Sequence, residues 1–204
     1  MRGDRTIIHI PLPAAPVACR MRRNHTDAMT AGENGTSDDF IRGLSQLPGW
    51  EECLEQARKS ETDRTPFGQM VSSLLVATDD GERALALSGQ LNAHGVGQVA
   101  VITVQGILHL LTKRMGEEDG EELRFELKFH SFGDLRNLSV RTSHNSFNDV
   151  EGEPRHARMS FIIDLPDRSL TFAPVDPSHP EPLVNADAIL TAYRAVRAGM
   201  SGQG

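Results

Sequence analysis

The chain has 204 residues, 38% of them hydrophobic, which is enough for one ordinary core and argues against extensive intrinsic disorder through its middle. Its formal net charge is -7, yet residues 1–28 hold Arg2, Arg5, Arg20, Arg22 and Arg23 against only Asp4 and Asp27, so the rest of the chain is strongly acidic. An acidic body repels a phosphate backbone and disfavours nucleic-acid binding outside the N-terminal arm, while Cys19 and Cys53, far apart and without CxxC spacing, read as reduced thiols of a cytoplasmic protein.

Residues 1–36 mix Pro, Arg, Gly, Asn and Thr without a sustained period and read as a disordered basic leader. Ser37-Asp38-Asp39 then offers an N-cap for a short helix with Phe40, Ile41 and Leu44 on one face, interrupted by Pro48-Gly49. A second helix runs from Trp50 to Lys59, with Glu51 and Glu52 in its first turn, Arg58 and Lys59 in its last, and Trp50 as a core anchor. Thr65-Pro66 reads as the start of a third, carrying Phe67, Met70, Val71, Leu74 and Leu75.

Asp79 with Glu82 resembles a capping box and predicts a helix bearing Ala84, Leu85, Leu87 and Leu91, ended by His94-Gly95. Residues 96–115 are ambiguous: the run from Val99 to Val104 is β-branched enough for a strand, whereas Ile107, Leu108 and Leu111 suit a helix; one helix over most of the segment is favoured, with a strand ending at Gly106 and then a short helix as the alternative. The pair would form a helix-turn-helix, but the second member offers DNA mostly Val, Ile and Leu, so it reads as core. Neither this run nor any other is long and apolar enough to span a bilayer.

Residues 116–122 form an acidic connection without the ligand spacing of a calcium loop. Beyond it, residues 121–175 hold six of the eight phenylalanines and read as a sheet. From Glu122 to His130 apolar and charged side chains alternate, the signature of a strand with one dry and one wet face. The alternation resumes at Leu138, Val140 and Thr142, again at Met159, Phe161 and Ile163, and finally at Leu170 and Phe172. A proline-rich crossover leads to Asn185, an N-cap for a last helix over residues 185–198, with 200–204 as a tail.

These elements predict an α+β fold: an antiparallel β-meander of about four strands, one face covered by N-terminal helices and a C-terminal helix, in one domain over residues 37–199 with a helical part at 37–115 and the sheet at 121–175. The chain has no GxSxG elbow, no GxxxxGKS/T loop and no GxGxxG turn, so the common hydrolase and nucleotide-dependent classes are disfavoured. No catalytic residue, metal or cofactor is assigned. The expected surface for a protein partner combines the wet strand face, Arg124, Lys128, His130 and Arg141, with a loop carrying His144, Asp149, Glu151 and His156. A sheet edge completed by a second copy is a further expectation. The leading expectation is a non-enzymatic cytoplasmic protein that binds a protein partner as an adaptor, chaperone-like factor, inhibitor or regulator. The alternatives are an enzyme or small-molecule binder using the 144–156 loop at the rim of a pocket, and nucleic-acid contact through the N-terminal arginines.

Overall fold

The computed structural model describes residues 33–92, 94–115, 122–143, 156–175 and 181–202. Three helices come first: α1 (Glu33–Ser45), α2 (Trp50–Lys59) and α3 (Glu61–Ala77). Seven strands follow, β1 (Ala84–Leu91), β2 (Gly97–Thr103), β3 (Gly106–Met115), β4 (Glu122–Ser131), β5 (Asn137–Thr142), β6 (Met159–Asp164) and β7 (Ser169–Phe172), and then α4 (Ala186–Met200). The fold is α+β, with an antiparallel four-stranded meander in the order β1-β2-β3-β4 and a separate antiparallel sheet in the order β5-β6-β7.

Two expected helices are strands. Residues 84–91 form β1, and the expected helix over 96–115 is the β2–β3 hairpin. Both faces of these strands are buried: Ala86 and Leu87 on β1, residues 99–103 on β2 and 106–110 on β3 are all enclosed, so their sequences lack the period of two that marks a half-wet strand. The expected four-strand block at 121–175 is divided, with β4 completing the first sheet and β5–β7 forming the second. The Asp79 to Glu82 segment, read as a helix start, instead ends α3 in a turn where Asp79, Asp80 and Gly81 all have positive φ.

Helix starts also move. α1 begins at Glu33, inside the stretch read as a leader, and Ser37, the expected N-cap, donates instead from its hydroxyl to the Asp80 carbonyl at 3.2 Å. α3 is capped by Ser60, whose hydroxyl accepts from the Asp63 N–H, so Thr65-Pro66 lies inside the helix. Asn185 caps α4, its side-chain oxygen accepting from the Ala188 N–H at 2.9 Å.

Helices α1, α2 and α3 pack on one face of the four-stranded sheet. Phe40, Leu44, Trp50, Phe67, Met70 and Leu74 meet Leu87, Val99, Val101, Leu108, Leu110 and Leu123 there. Trp50 is buried, with its ring 5.3 Å from that of Phe67. An ion pair closes one end of this layer: the guanidinium of Arg114 on β3 donates to both oxygens of Asp63 on α3, at 3.1 and 3.0 Å, and its Nε donates to the His94 carbonyl. On the opposite face, Ala86, Ala100, Ile102 and Ile107 share a second core with the inner residues of β6 and β7 and with Ile189, Ala192 and Val196 of α4.

The two edges of the four-stranded sheet differ. On β1, the N–H of Leu87 donates to the Leu183 carbonyl and that of Leu91 to the Pro48 carbonyl, and Ser88 donates from its hydroxyl to the Thr171 carbonyl at 2.5 Å. Gly49 makes this closure sterically possible: its φ is 76°, and a Cβ there would lie 1.5 Å from the Leu91 oxygen. On β4, no strand among the described residues pairs with the outer edge.

Candidate functional site

The register of the meander defines two side-chain layers at β4. Leu123, Phe125, Leu127 and Phe129 lie on the helix-covered face, opposite Arg114, Thr112, Leu110 and Leu108 of β3. Cover thins along the strand: Leu123 is buried, Phe125 and Leu127 are partly buried against the helical core, and Phe129 is 55% exposed. The Phe129 ring leans over Gly106, where a Cβ would meet it at 2.6 Å, so the absence of a side chain on β3 lets the ring lie down at the rim.

The other face of β4 carries Arg124, Glu126, Lys128 and His130, the residues that the alternation assigns to the wet side. Arg124, Glu126 and Lys128 are exposed, and the ammonium of Lys128 pairs with Glu126 at 3.3 Å. His130 is half-buried beside His109 of β3, ring centroids 6.2 Å apart, and its Nε2 is enclosed without a hydrogen-bond partner among the described residues. His109 faces Lys128 across the pair and is 1% exposed, with Nε2 3.2 Å from the Gln98 side-chain oxygen. An oxygen only accepts, so Nε2 carries the proton in the neutral ring. Burial pushes the imidazole pKa down to about 4, helped by the nearby Arg168, His130 and Lys128 and opposed by Asp167.

The remaining sequence-predicted residues do not join this group. Arg141 is exposed on β5 in the other sheet. His156 lies with Nε2 2.7 Å from Asp187 Oδ1, which ties the chain before β6 to the first turn of α4. His144, Asp149 and Glu151 lie outside the described residues, so the expected histidine and carboxylate loop is represented only by His156. His109 is a neighbour that sequence reading missed. Its signal is positional, because once residues 106–115 are read as a strand, His109 falls on the same face of the sheet as Lys128.

The clefts offer little chemistry. One of about 210 Å³ lies between β1–β2 and β7, lined by Ser88, Gln90, Gln98, Ser169 and Thr171 with Gly89, Ala100 and Leu170, and contains no titratable side chain. It is smaller than the few hundred Å³ and more that enclose an ordinary ligand. A second, of about 400 Å³, is formed by Val104, Gln105, Phe132, Gly133 and three small residues of α4, again without a titratable group. Cys53 is buried, and burial pushes its thiol up to about 11, so it is a protonated core side chain rather than a nucleophile. Among the described residues no group of three or more His, Cys, Asp or Glu side chains converges as a metal site would require. No helix of the described residues is long and apolar enough to cross a membrane.

Comparison with protein families, curated proteins and solved structures returned no match.

Proposed function

We propose that this chain is a non-enzymatic protein-binding module that engages its partner through the outer edge of β4 and the side chains flanking it. The observation that carries this reading is the 55% exposure of Phe129, a large aromatic at the rim of the core on a ten-residue strand with no pairing strand on its outer side among the described residues. Backbone N–H and C=O groups on such an edge supply strand-addition hydrogen bonds, and Phe129 with the partly covered Phe125 and Leu127 supplies apolar contact. Arg124, Glu126 and Lys128 add a row of alternating charge that selects register and partner.

A catalytic reading has less support. The buried His109 is neutral at physiological pH and engaged by Gln98, and the adjoining cleft presents only hydroxyls, amides and apolar groups. The test is affinity capture from the native host with wild-type and Phe129→Ser baits, quantified by mass spectrometry. Phe129 is half in solvent, so the variant should melt close to wild type while losing the specifically captured proteins; an unchanged capture profile with Phe129→Ser would refute the edge as the binding surface.

A further inference from the structure

We infer that the outer edge of β4 pairs with the β4 edge of a second copy of this chain, antiparallel, about a twofold axis through Leu127. The inference rests on the binding-edge reading above and names its occupant. It follows from comparing the four central registers, with the axis through Phe125, Glu126, Leu127 or Lys128, since an isologous contact sets every residue opposite a fixed partner on the same face.

An axis through Glu126 sets that carboxylate against itself and Arg124 against Lys128, so like charges meet at the centre of the pairing and on either side of it. An axis through Lys128 opposes two ammonium groups at its centre. Directly opposed like charges disfavour both. An axis through Phe125 sets Arg124 against Glu126, but it spends its apolar contact on Leu123, which is already buried, and leaves Phe129 beyond the described pairing.

The axis through Leu127 satisfies both layers together. On the helix-covered face Leu127 meets Leu127 of the second copy, and Phe125 meets Phe129 of the second copy twice by symmetry. The three apolar side chains of β4 that the fold leaves partly or half exposed are therefore the three that gain cover. On the charged face Glu126 meets Lys128 of the second copy, again twice, each already adjacent to its own-strand counterpart at 3.3 Å. The four groups form one row of alternating sign across the axis. Arg124 falls opposite His130, whose Nε2 has no partner among the described residues. Aromatic and opposite-charge cross-strand pairs of this kind are the units that stabilise a sheet. The assembly is an eight-stranded sheet with the β1 edges, engaged at Leu87 and Leu91, at its two ends.

The test is sedimentation equilibrium of the full chain, wild type and charge variants, with melting curves to confirm folding. Wild type should be dimeric at micromolar concentration. Glu126→Lys and Lys128→Glu each convert two attractive pairs into repulsive ones and should raise the dissociation constant roughly ten-fold. An equimolar mixture of the two should associate to within roughly two-fold of wild type, because lysines then face glutamates throughout; only folded, correctly registered chains give that rescue. Arg124→Glu should leave the dimer intact, and its dissociation would indicate the axis through Phe125 and overturn the register. A wild-type monomer across the micromolar range would overturn self-pairing. If Phe129→Ser still abolished capture of a different protein in that case, the binding-edge reading would stand with another occupant, whereas failure of both would remove it as well.

Discussion

Acidification isolates the contribution of His109. The unfolded chain takes up its imidazole proton near the ordinary 6.5, whereas the folded chain, with the ring 1% exposed between Gln98 and His130 and facing Lys128 and Arg168, resists protonation until about pH 4. Between these values the unfolded state binds more protons, so stability is fully present above about pH 6.5 and falls as pH drops toward 4. Each unit is worth about 1.4 kcal/mol, so by pH 4.5 the loss should reach between about 2 and 3 kcal/mol. Asp134, held down by hydrogen bonds from Ser131, Asp164, held down by Ser169 and Asn137, and Asp167, held down by Arg168, lose their contributions only below their ordinary 3.8, which keeps the window separate. Urea titrations at pH 7 and pH 4.5, on wild type and on His109→Gln, measure the difference. The glutamine retains an N–H donor toward the Gln98 oxygen and has nothing to titrate. The variant should lose much less stability on acidification; equal losses in both proteins would refute a buried, neutral His109.

Two further perturbations test the packing. Phe161 is fully buried, stacked on Phe172 at 5.2 Å and tilted against Tyr193 at 5.9 Å, so Phe161→Ala should cost about 4 kcal/mol, while Phe125→Ala, at the thinning edge of its layer, should cost about half that. Equal losses in denaturant titrations would mean that the cover of the two rings has been misread. Asp63→Asn removes the charge that receives both Arg114 donors in a largely buried pair and should cost about 3 kcal/mol, the low end for such a pair because Arg114 keeps the His94 carbonyl. A change within about 0.5 kcal/mol by urea titration would place the pair among surface bridges instead.

What the sequence disclosed follows from how many faces of each strand are wet. β4 shows one face to solvent, so charge alternates with apolar residues, and its direction, dry face and exposed Arg124 and Lys128 are all readable. β2 and β3 are central and covered on both sides, and a strand of that kind writes the same continuous apolar run as a buried helix. The turn between them gave no Asn-Gly or similar signal either. Thr103 shapes it, its hydroxyl accepting from the N–H groups of Gln105 and Gly106 while donating to the Gly106 carbonyl. β1 misled for a second reason besides, since Ala and Leu prefer helix and only the sheet beside them makes the segment extended. The same error hid His109. A helix over this run would place it among polar residues of the same segment, whereas in the hairpin it stands opposite Lys128 and Ala100.

The contrast between the sheet's edges bears on why β4 carries its charges where it does. An open edge pairs with any extended chain unless its side chains discriminate, and natural edges commonly discriminate with charge. The β1 edge is engaged at Leu87 and Leu91, whose N–H groups donate to the Leu183 and Pro48 carbonyls, and at the Ser88 hydroxyl, which donates to the Thr171 carbonyl, while Gly49 lets the loop approach. β4 has Arg124, Glu126 and Lys128 at alternate positions, so shifting an antiparallel copy by one step of its axis turns opposite-charge pairs into like-charge pairs. A uniform row of lysines would refuse every copy in every register. An alternating row refuses half of them and accepts the rest, and the exposed Phe129 then separates the accepted registers by whether the ring is covered. In the proposed self-pairing, charge filters the registers and the aromatic side chain chooses among those that pass, which is why Glu126→Lys and Lys128→Glu should fail singly and succeed together.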